Sequence, residues 1–300
     1  MRKITKFFFY LTNRPNILGL YIINKISIII PTRIYIKLVF RLQFGYKIDL
    51  SQPKTFNEKL NWLKLNDRKP IYSKMVDKLY VKELVASIIG DQYVVPCYGA
   101  WDDFNKIDFS KLPNKFVLKT NHDSSGATIC KDKSNFNYNL YKKKFTSLLK
   151  RNYFYHCREW PYKNVKPMVL AEMLLEDPDR DKLEDYKFWC FDGEPLYMYC
   201  TIKGGDVYEN FFDMNFKPVN ISHGYPRINP EPQKPQNFEV MKMLCKKLAK
   251  NIPFVRIDFF EINGKIYFGE YTFYDWGGFK PFINYNMDYE LGRLINIEIK

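Results

Sequence analysis

The sequence predicts an α/β chain in which helices dominate the first half and antiparallel hairpins the second. Two patterns carry this. Up to about residue 90, apolar side chains recur at helical spacing between recognisable caps. From residue 168 onward, short runs of β-branched and aromatic residues alternate with tight-turn signals. Size sets the scale: 300 residues with 46% hydrophobic and 27% charged side chains leave room for two or three sub-domains. Disorder and a disulfide-stapled miniprotein are excluded.

Charge is concentrated at the start. Residues 1–50 carry Arg2, Lys3, Lys6, Arg14, Lys25, Arg33, Lys37, Arg41 and Lys47 against Asp49 alone, a net of +8 out of +14 for the chain. Such a balance predicts an acidic partner: nucleotide phosphate, nucleic acid or an anionic membrane face. Nucleic acid is set aside, because it would need basic and aromatic residues interleaved along the whole chain, and the later segments are near charge balance. The apolar run 17–30 falls short of the roughly 20 residues of a spanning helix, contains Lys25 and ends at Pro31, so no transmembrane span is expected. Residues 7–11 are too brief for a signal-peptide core and no small-residue cleavage site follows, so the expectation is an unprocessed chain in the cytoplasm.

Thr32 as cap and Gly45 as stop frame the first clear helix, in which Arg33, Lys37 and Arg41 recur every four residues among aliphatic side chains. It either lies on a membrane surface or packs its apolar face on the body with the basic stripe solvated. Thr55-Phe56-Asn57-Glu58 is a capping box for a helix reaching residue 65. A helix over 71–89, stopped by Gly90, places Lys78 and Lys82 on one polar face. A strand 116–120, a polar loop 121–126, a strand 127–130 and a helix 140–152 follow. Strands are expected over 168–175, 186–191 and 196–201, with tight turns at Asp192-Gly193 and Gly204-Gly205. Residues 219–236, with Pro226, Pro230, Pro232 and Pro235 and with Pro218 just before, read as a surface loop or crossover. A helix 238–249 precedes a final hairpin over 255–273. The six cysteines show neither zinc nor redox spacing and read as reduced thiols.

That hairpin places ionised groups in an otherwise apolar strand pair. Arg256 and Asp258 share a face, as do Glu270 and Thr272. A two-residue Asn263-Gly264 loop would pair Ile257 with Glu270 and separate the two carboxylates. A three-residue loop over 262–264 would pair Arg256 with Glu270 and bring them together. Two acids and an arginine on one face need a cation or polyanion to be tolerable, which magnesium and nucleotide phosphates would supply.

The Arg256-x-Asp258 and Glu270-x-Thr272 pair resembles the ATP-grasp superfamily, except that Thr272 stands where that superfamily usually has Asn. Within it, Thr55 to Trp62, Asp77-Lys78, Lys119-x-Asn121-His122, Glu159 to Lys163, Asp185 to Phe188 and Glu270 to Tyr274 are similar to the TupA-like ATP-grasp proteins of bacterial surface-polysaccharide gene clusters. The resemblance covers about residues 52–290. It implies an α/β ATP-grasp fold: two α+β lobes with antiparallel sheets clasping ATP, divided at 51–167 and 168–300; the basic N-terminal helical segment 1–50 lies outside the resemblance.

It also implies roles. Lys78 and Lys119 would reach the ATP phosphates, and Ser124, Ser125 and Gly126 would form the lid over them. Glu172 and Leu175 would meet the adenine, and Asp185 the ribose. Asp258, Glu270 and Thr272 would hold Mg²⁺, while Arg256 and Lys187 would act on the transferred group. His122 reads equally as an acid–base group or a polar loop residue. The implied reaction is ATP-dependent carboxylate–amine ligation through an acyl phosphate, in capsular or O-antigen polysaccharide biosynthesis. Its partners would be a glycan or lipid-linked glycan and an amine or amino acid; the basic stripe of residues 1–50, read by itself, adds the inner face of the plasma membrane as a further partner. The alternatives are a glycosyltransferase of the same pathway, for which Asp179-Arg180-Asp181 is the nearest metal-binding spacing, and an inactive ATP-grasp scaffold.

Overall fold

The computed structural model describes residues 15–124, 126–177, 183–202 and 207–298. Ser125, the 179–181 spacing, the Gly204-Gly205 turn and residues 1–14 lie outside these. Helix α1 (Pro15–Lys25) and helix α2 (Thr32–Phe44) are joined by a single 3-10 turn, Ser27–Ile29. Thr32, expected as the cap, is instead the first helical residue. Pro31 (φ −58°, ψ 141°) holds the cap position, where proline's fixed φ admits the chain into the helix. Gly45 ends α2 at φ 78°, its N–H on the Arg41 carbonyl. Tyr35, Ile36, Val39 and Phe40 turn inward and pack with Ile23, Ile48 and Leu50.

Helix α3 (Phe56–Asn66) begins with the complete capping box: the Glu58 N–H donates to Thr55 Oγ1 (3.2 Å) and the Thr55 N–H to Glu58 Oε2 (3.1 Å). The single helix expected over 71–89 is two, α4 (Ile71–Val76) and α5 (Tyr80–Ile89). Asp77 breaks it. Its backbone is extended (φ −74°, ψ 109°), and its Oδ1 accepts from the Leu79 N–H (2.9 Å) and from Asn121 Nδ2 (3.0 Å). An aspartate whose side chain takes a backbone donor two residues on favours a turn over a helix interior.

Two antiparallel sheets follow. The four-stranded one has the order β1-β4-β2-β3, with β1 (Cys97–Trp101), β2 (Phe116–Thr120), β3 (Thr128–Cys130) and β4 (Val169–Glu172). β4 lies beyond the lobe boundary expected at 168, yet it pairs between β1 and β2. Helix α6 (Tyr138–Leu149) buries Phe145 and Leu148 against this sheet, and the short α7 (Phe154–Cys157) leads away from it. The five-stranded sheet runs β7-β6-β5-β8-β9, from β5 (Glu184–Phe191), β6 (Glu194–Ile202), β7 (Asn210–Asp213), β8 (Phe254–Ile262) and β9 (Lys265–Thr272).

Helix α8 (Phe238–Leu248) covers that sheet through Phe238, Met241, Leu244, Cys245 and Leu248, an i, i+3, i+4 stripe fully withdrawn from water. Helix α9 (Tyr285–Arg293) packs beside α3, where Asp288 Oδ1 accepts from the N–H and Nδ2 of Asn57, both at 3.0 Å. Strands β1 and β7 and helix α9 were not expected from the sequence. Among the described residues no helix is long and apolar enough to cross a membrane.

Candidate functional site

Gly269 decides what the β8–β9 hairpin presents. The Asn263-Gly264 turn has two residues, both at positive φ (49° and 69°), and pairs Ile262 with Lys265. Unbroken, that register would set Ile257 opposite Glu270 and put Asp258 on the other face. Instead Phe259 pairs with Phe268 and Asp258 with Glu270, so Gly269 is an extra, bulged residue in β9. Neither expected register holds: the turn is the short one, and the bulge returns both carboxylates to one face with Arg256 opposite Thr272. A Cβ at 269 would stand 3.0 Å from the Asp258 carbonyl oxygen and 3.2 Å from the Phe260 ring, closer than ordinary van der Waals contact, so a larger residue must push the strand pair apart by a few tenths of an ångström.

Around Asp258 the charges interlock. Arg256 donates from Nε to Asp258 Oδ1 (2.7 Å) and from Nη2 to Oδ2 (2.8 Å), a bidentate clamp. Its Nη2 also reaches Glu270 Oε1 (3.2 Å) and its Nη1 reaches Asp275 Oδ1 (2.5 Å) and Tyr199 Oη (3.2 Å). Lys187, level with Asp258 on the neighbouring strand β5, donates to Asp258 Oδ2 (2.8 Å) and Asp185 Oδ2 (2.9 Å). Lys78 leaves the α4–α5 break to donate to the Asp123 carbonyl (2.6 Å), with Glu270 Oε2 at 3.5 Å. Burial pushes the pKa of Lys187 and Arg256 down, but the facing carboxylates outweigh it and keep both groups charged.

In this cluster Asp185, Asp258, Glu270 and Asp275 outnumber Lys78, Lys187 and Arg256 by one. A surplus of hard oxygen donors, two of them directly opposed across a strand pair, fits magnesium, which binds through one or two carboxylates and completes its shell with water and phosphate oxygens. No cluster of three or more His, Cys, Asp or Glu among the described residues could hold an ion unaided. A basic patch adjoins: Glu172 takes Lys119 at 2.5 Å and Lys82 at 2.8 Å, and these lysines overcome burial to hold its carboxyl below the usual range.

Two cavities meet at Glu270 and Ser124. The first, about 310 Å³, is lined by Lys78, Lys119, Asp185, Asp258 and Gly269. The second, about 430 Å³, runs past Arg256 and Thr272 to Tyr153, Glu159, Tyr199 and Trp276. The hydroxyls of Ser124 and Tyr153 bond at 2.7 Å where the two adjoin. Gly126, at φ 141°, leaves the loop above the first cavity close to Leu148, whose Cδ1 would lie 2.9 Å from an added Cβ. In the second cavity Glu159 is buried, which pushes its carboxyl up, while the charge of Lys64 opposes the shift. Lys64 has no exposed surface and is pushed down by burial. It donates to Asn61 Oδ1 (2.9 Å) and the Gly277 carbonyl (2.5 Å) over the Phe279 ring.

A family model described as TupA-like ATPgrasp matches residues 58–296. The chain belongs to the TupA-like ATP-grasp family. Solved structures to which it is similar include the D-alanine–D-alanine ligase of Helicobacter pylori (16% identity, TM-score 0.44, 81% of this chain and 67% of that one). The Bacillus anthracis enzyme of the same name gives 18%, 0.42, 73% and 66%. The ATP-grasp ligase PsnB, complexed with a phosphomimetic precursor variant, Mg and ADP, gives 10%, 0.40, 72% and 57%. The chain thus spans about two thirds or less of the length of these proteins. No curated protein matches it.

In this ATP-grasp chain the residues singled out from sequence largely gather. Lys78, Lys119, Ser124, Gly126, Asp185, Asp258 and Glu270 line the first cavity, and Lys187 and Arg256 stand behind Asp258 and open onto the second. Leu175 joins an apolar cluster with Val95, Ile262 and Phe260, and Phe260 in turn walls the first cavity. Three of the residues singled out sit in surroundings the sequence did not specify. Glu172 is buried and forms ion pairs with Lys119 and Lys82. Thr272 lines the second cavity and pairs with Arg256 across the strands, two residues along from the Asp258–Glu270 pair. His122 is buried with Nδ1 on Asn121 Oδ1 (3.2 Å) and Nε2 on the Leu148 carbonyl (3.3 Å).

Asp275, Tyr199 and Lys64 were not foreseen. Lys64 left a trace: Asn57, Asn61 and Lys64 take the i, i+4 and i+7 positions of α3 beside Leu60, polar side chains at core spacing.

Proposed function

We propose that the protein is an ATP-dependent ligase that activates a carboxylate as an acyl phosphate and joins it to an amine, with a glycan carrying one of the two. The observation that supports this best is the abutment of two cavities at Glu270, one edged with lysines and carboxylates and the other with aromatic rings. In this reading ATP occupies the first cavity, with its base against the apolar wall formed by Leu175 and Phe260. Lys78 and Lys119 pair with the phosphates, and Ser124 and Gly126 belong to the loop covering them. Asp258 and Glu270 would hold magnesium, which when bound neutralises phosphate charge.

The acceptor carboxylate enters the second cavity. Its oxygen attacks the γ-phosphorus, the bond to the bridging oxygen breaks, and ADP leaves. Arg256 and Lys187 stabilise the charge that develops on the transferred group. The amine nitrogen then attacks the acyl carbon and expels phosphate, so that an amide, ADP and phosphate are the products. Glu159 suits the role of proton acceptor from the amine, because burial raises its affinity for a proton.

Competition among ATP, UDP-sugars and GDP-sugars for the purified protein, followed by a screen of uronic acids against amino acids for ADP release, tests the reading. Selective ATP binding with ADP release in the presence of one acid–amine pair supports it. Binding of a nucleotide-sugar with ATP ignored replaces it with a glycosyltransferase, and ATP binding without turnover replaces it with a scaffold.

A further inference from the structure

The outer face of the α1–α2 hairpin is apolar without serving the fold. Among the described residues, eight of the twenty exposed large apolar side chains lie between residues 17 and 38. Ile17 and Tyr21 form an i, i+4 row on α1, Ile22 on α1 lines up with Ile26 just past its end, and Ile34 and Leu38 form another row on α2. At the tip, Ile28 and Ile29 are 69% and 76% exposed. The inward residues of both helices already pack on the body, so water contact at these positions is a standing cost.

Beside the apolar rows stand Lys25, Arg33, Lys37 and Arg41, all exposed. No acidic residue occurs anywhere before Asp49, and residues 1–14 continue the same composition with Arg2, Lys3, Lys6 and the run Phe7-Phe8-Phe9. An apolar row flanked by cations only is complementary to a lipid interface with anionic head groups, where the aliphatic side chains enter the acyl boundary and the cations stay at head-group level. We propose that the α1–α2 hairpin docks on an anionic membrane surface, with Ile28 and Ile29 entering it first.

The hairpin is fixed to the wall of the second cavity. Arg158 is buried, donates from Nη2 to the carbonyls of Ser27 and Ile30 (2.8 Å to the latter), and lies 4.5 Å from the centre of the Tyr35 ring. The Tyr35 hydroxyl donates to the His156 carbonyl, and His156 and Glu159, on either side of Arg158, line that cavity. Docking therefore sets the cavity at a fixed distance from the lipid. The docking itself does not depend on the ligase reading.

Cosedimentation of the full chain with phosphatidylcholine vesicles, with and without phosphatidylglycerol, tests it. Binding is expected to the anionic vesicles only and to fall as salt rises. An Ile28→Ser, Ile29→Ser double variant should bind at least about tenfold more weakly, and Lys37→Gln about fivefold more weakly. ATP binding by the variants reports that they are folded, because none of these residues lines either cavity. Equal affinity for neutral vesicles, or undiminished binding by the double variant, overturns the proposal. So does a concentration-dependent oligomer that the double variant abolishes, which would make the face a protein interface.

Discussion

Asp258 and Glu270 face each other across β8 and β9 because one residue of β9, Gly269, has no partner. The short turn that the Asn263-Gly264 pair encodes would separate the two carboxylates, and a single bulged glycine reverses that. The electrostatic arrangement of the site follows from this local irregularity. With the acids opposed, Arg256 can bridge them and Lys187 can reach Asp258 from the next strand.

Gly269→Val therefore strikes the alignment and not the charges. Its Cβ would press on the Asp258 carbonyl and the Phe260 ring. The branched side chain is expected to open the bulge and move Glu270 out of line with Asp258. Magnesium-dependent ATP affinity should fall at least about tenfold, or about 1.4 kcal/mol, while the circular dichroism of the sheet persists. Unchanged affinity would mean that the bulge does not align the acids.

Lys64 is a second sensitive point. Replacing it with Met removes the donor to the Gly277 carbonyl and to Asn61, and leaves Glu159 without the cation that opposes its burial. Urea unfolding should show a loss of about 3 kcal/mol. Lys64→Arg should not restore it, since the space over the Phe279 ring is filled. A variant as stable as the native chain would contradict this role.

Asp288 predicts a pH dependence. Burial raises its carboxyl from 3.8 to about 6 despite two hydrogen bonds from Asn57. The native state thus disfavours the ionised form, so the stability this group contributes is full below pH 3.8 and is lost as the pH rises through about 6. Asp288→Asn keeps an acceptor without the charge. Its stability relative to the native chain should improve between pH 4 and pH 7 by up to about 3 kcal/mol, read from paired melts. A difference that stays constant across that interval would refute the assignment.

Features set by near neighbours were legible in the sequence: the Thr55–Glu58 capping box, the Gly45 stop, the Asp192-Gly193 turn and the β8–β9 hairpin all depend on residues within a few positions. Features decided at a distance were not. Asp77 breaks its helix partly because Asn121, 44 residues away, holds its carboxylate. β4 joins the first sheet because its partners precede it, and β7 is an edge strand of four residues. The bulge at Gly269 looks like any other glycine in a strand until the cross-strand pairing is known. Lys78, Lys119, Lys187, Asp258 and Glu270, grouped in the sequence by motif order, line two adjoining cavities in the structure, whereas Asp275 and Lys64 join them through contacts no local pattern announces.

If Asp258 and Glu270 form a magnesium-dependent ATP site, nucleotide binding must need both the ion and the second carboxylate. Calorimetric titration of ATP into the full chain, with and without Mg²⁺ and beside Glu270→Gln, tests it most directly. The account predicts saturable binding that requires magnesium and weakens at least about tenfold in the variant, which keeps its native melting profile. ATP binding that is indifferent both to magnesium and to Glu270→Gln would contradict it.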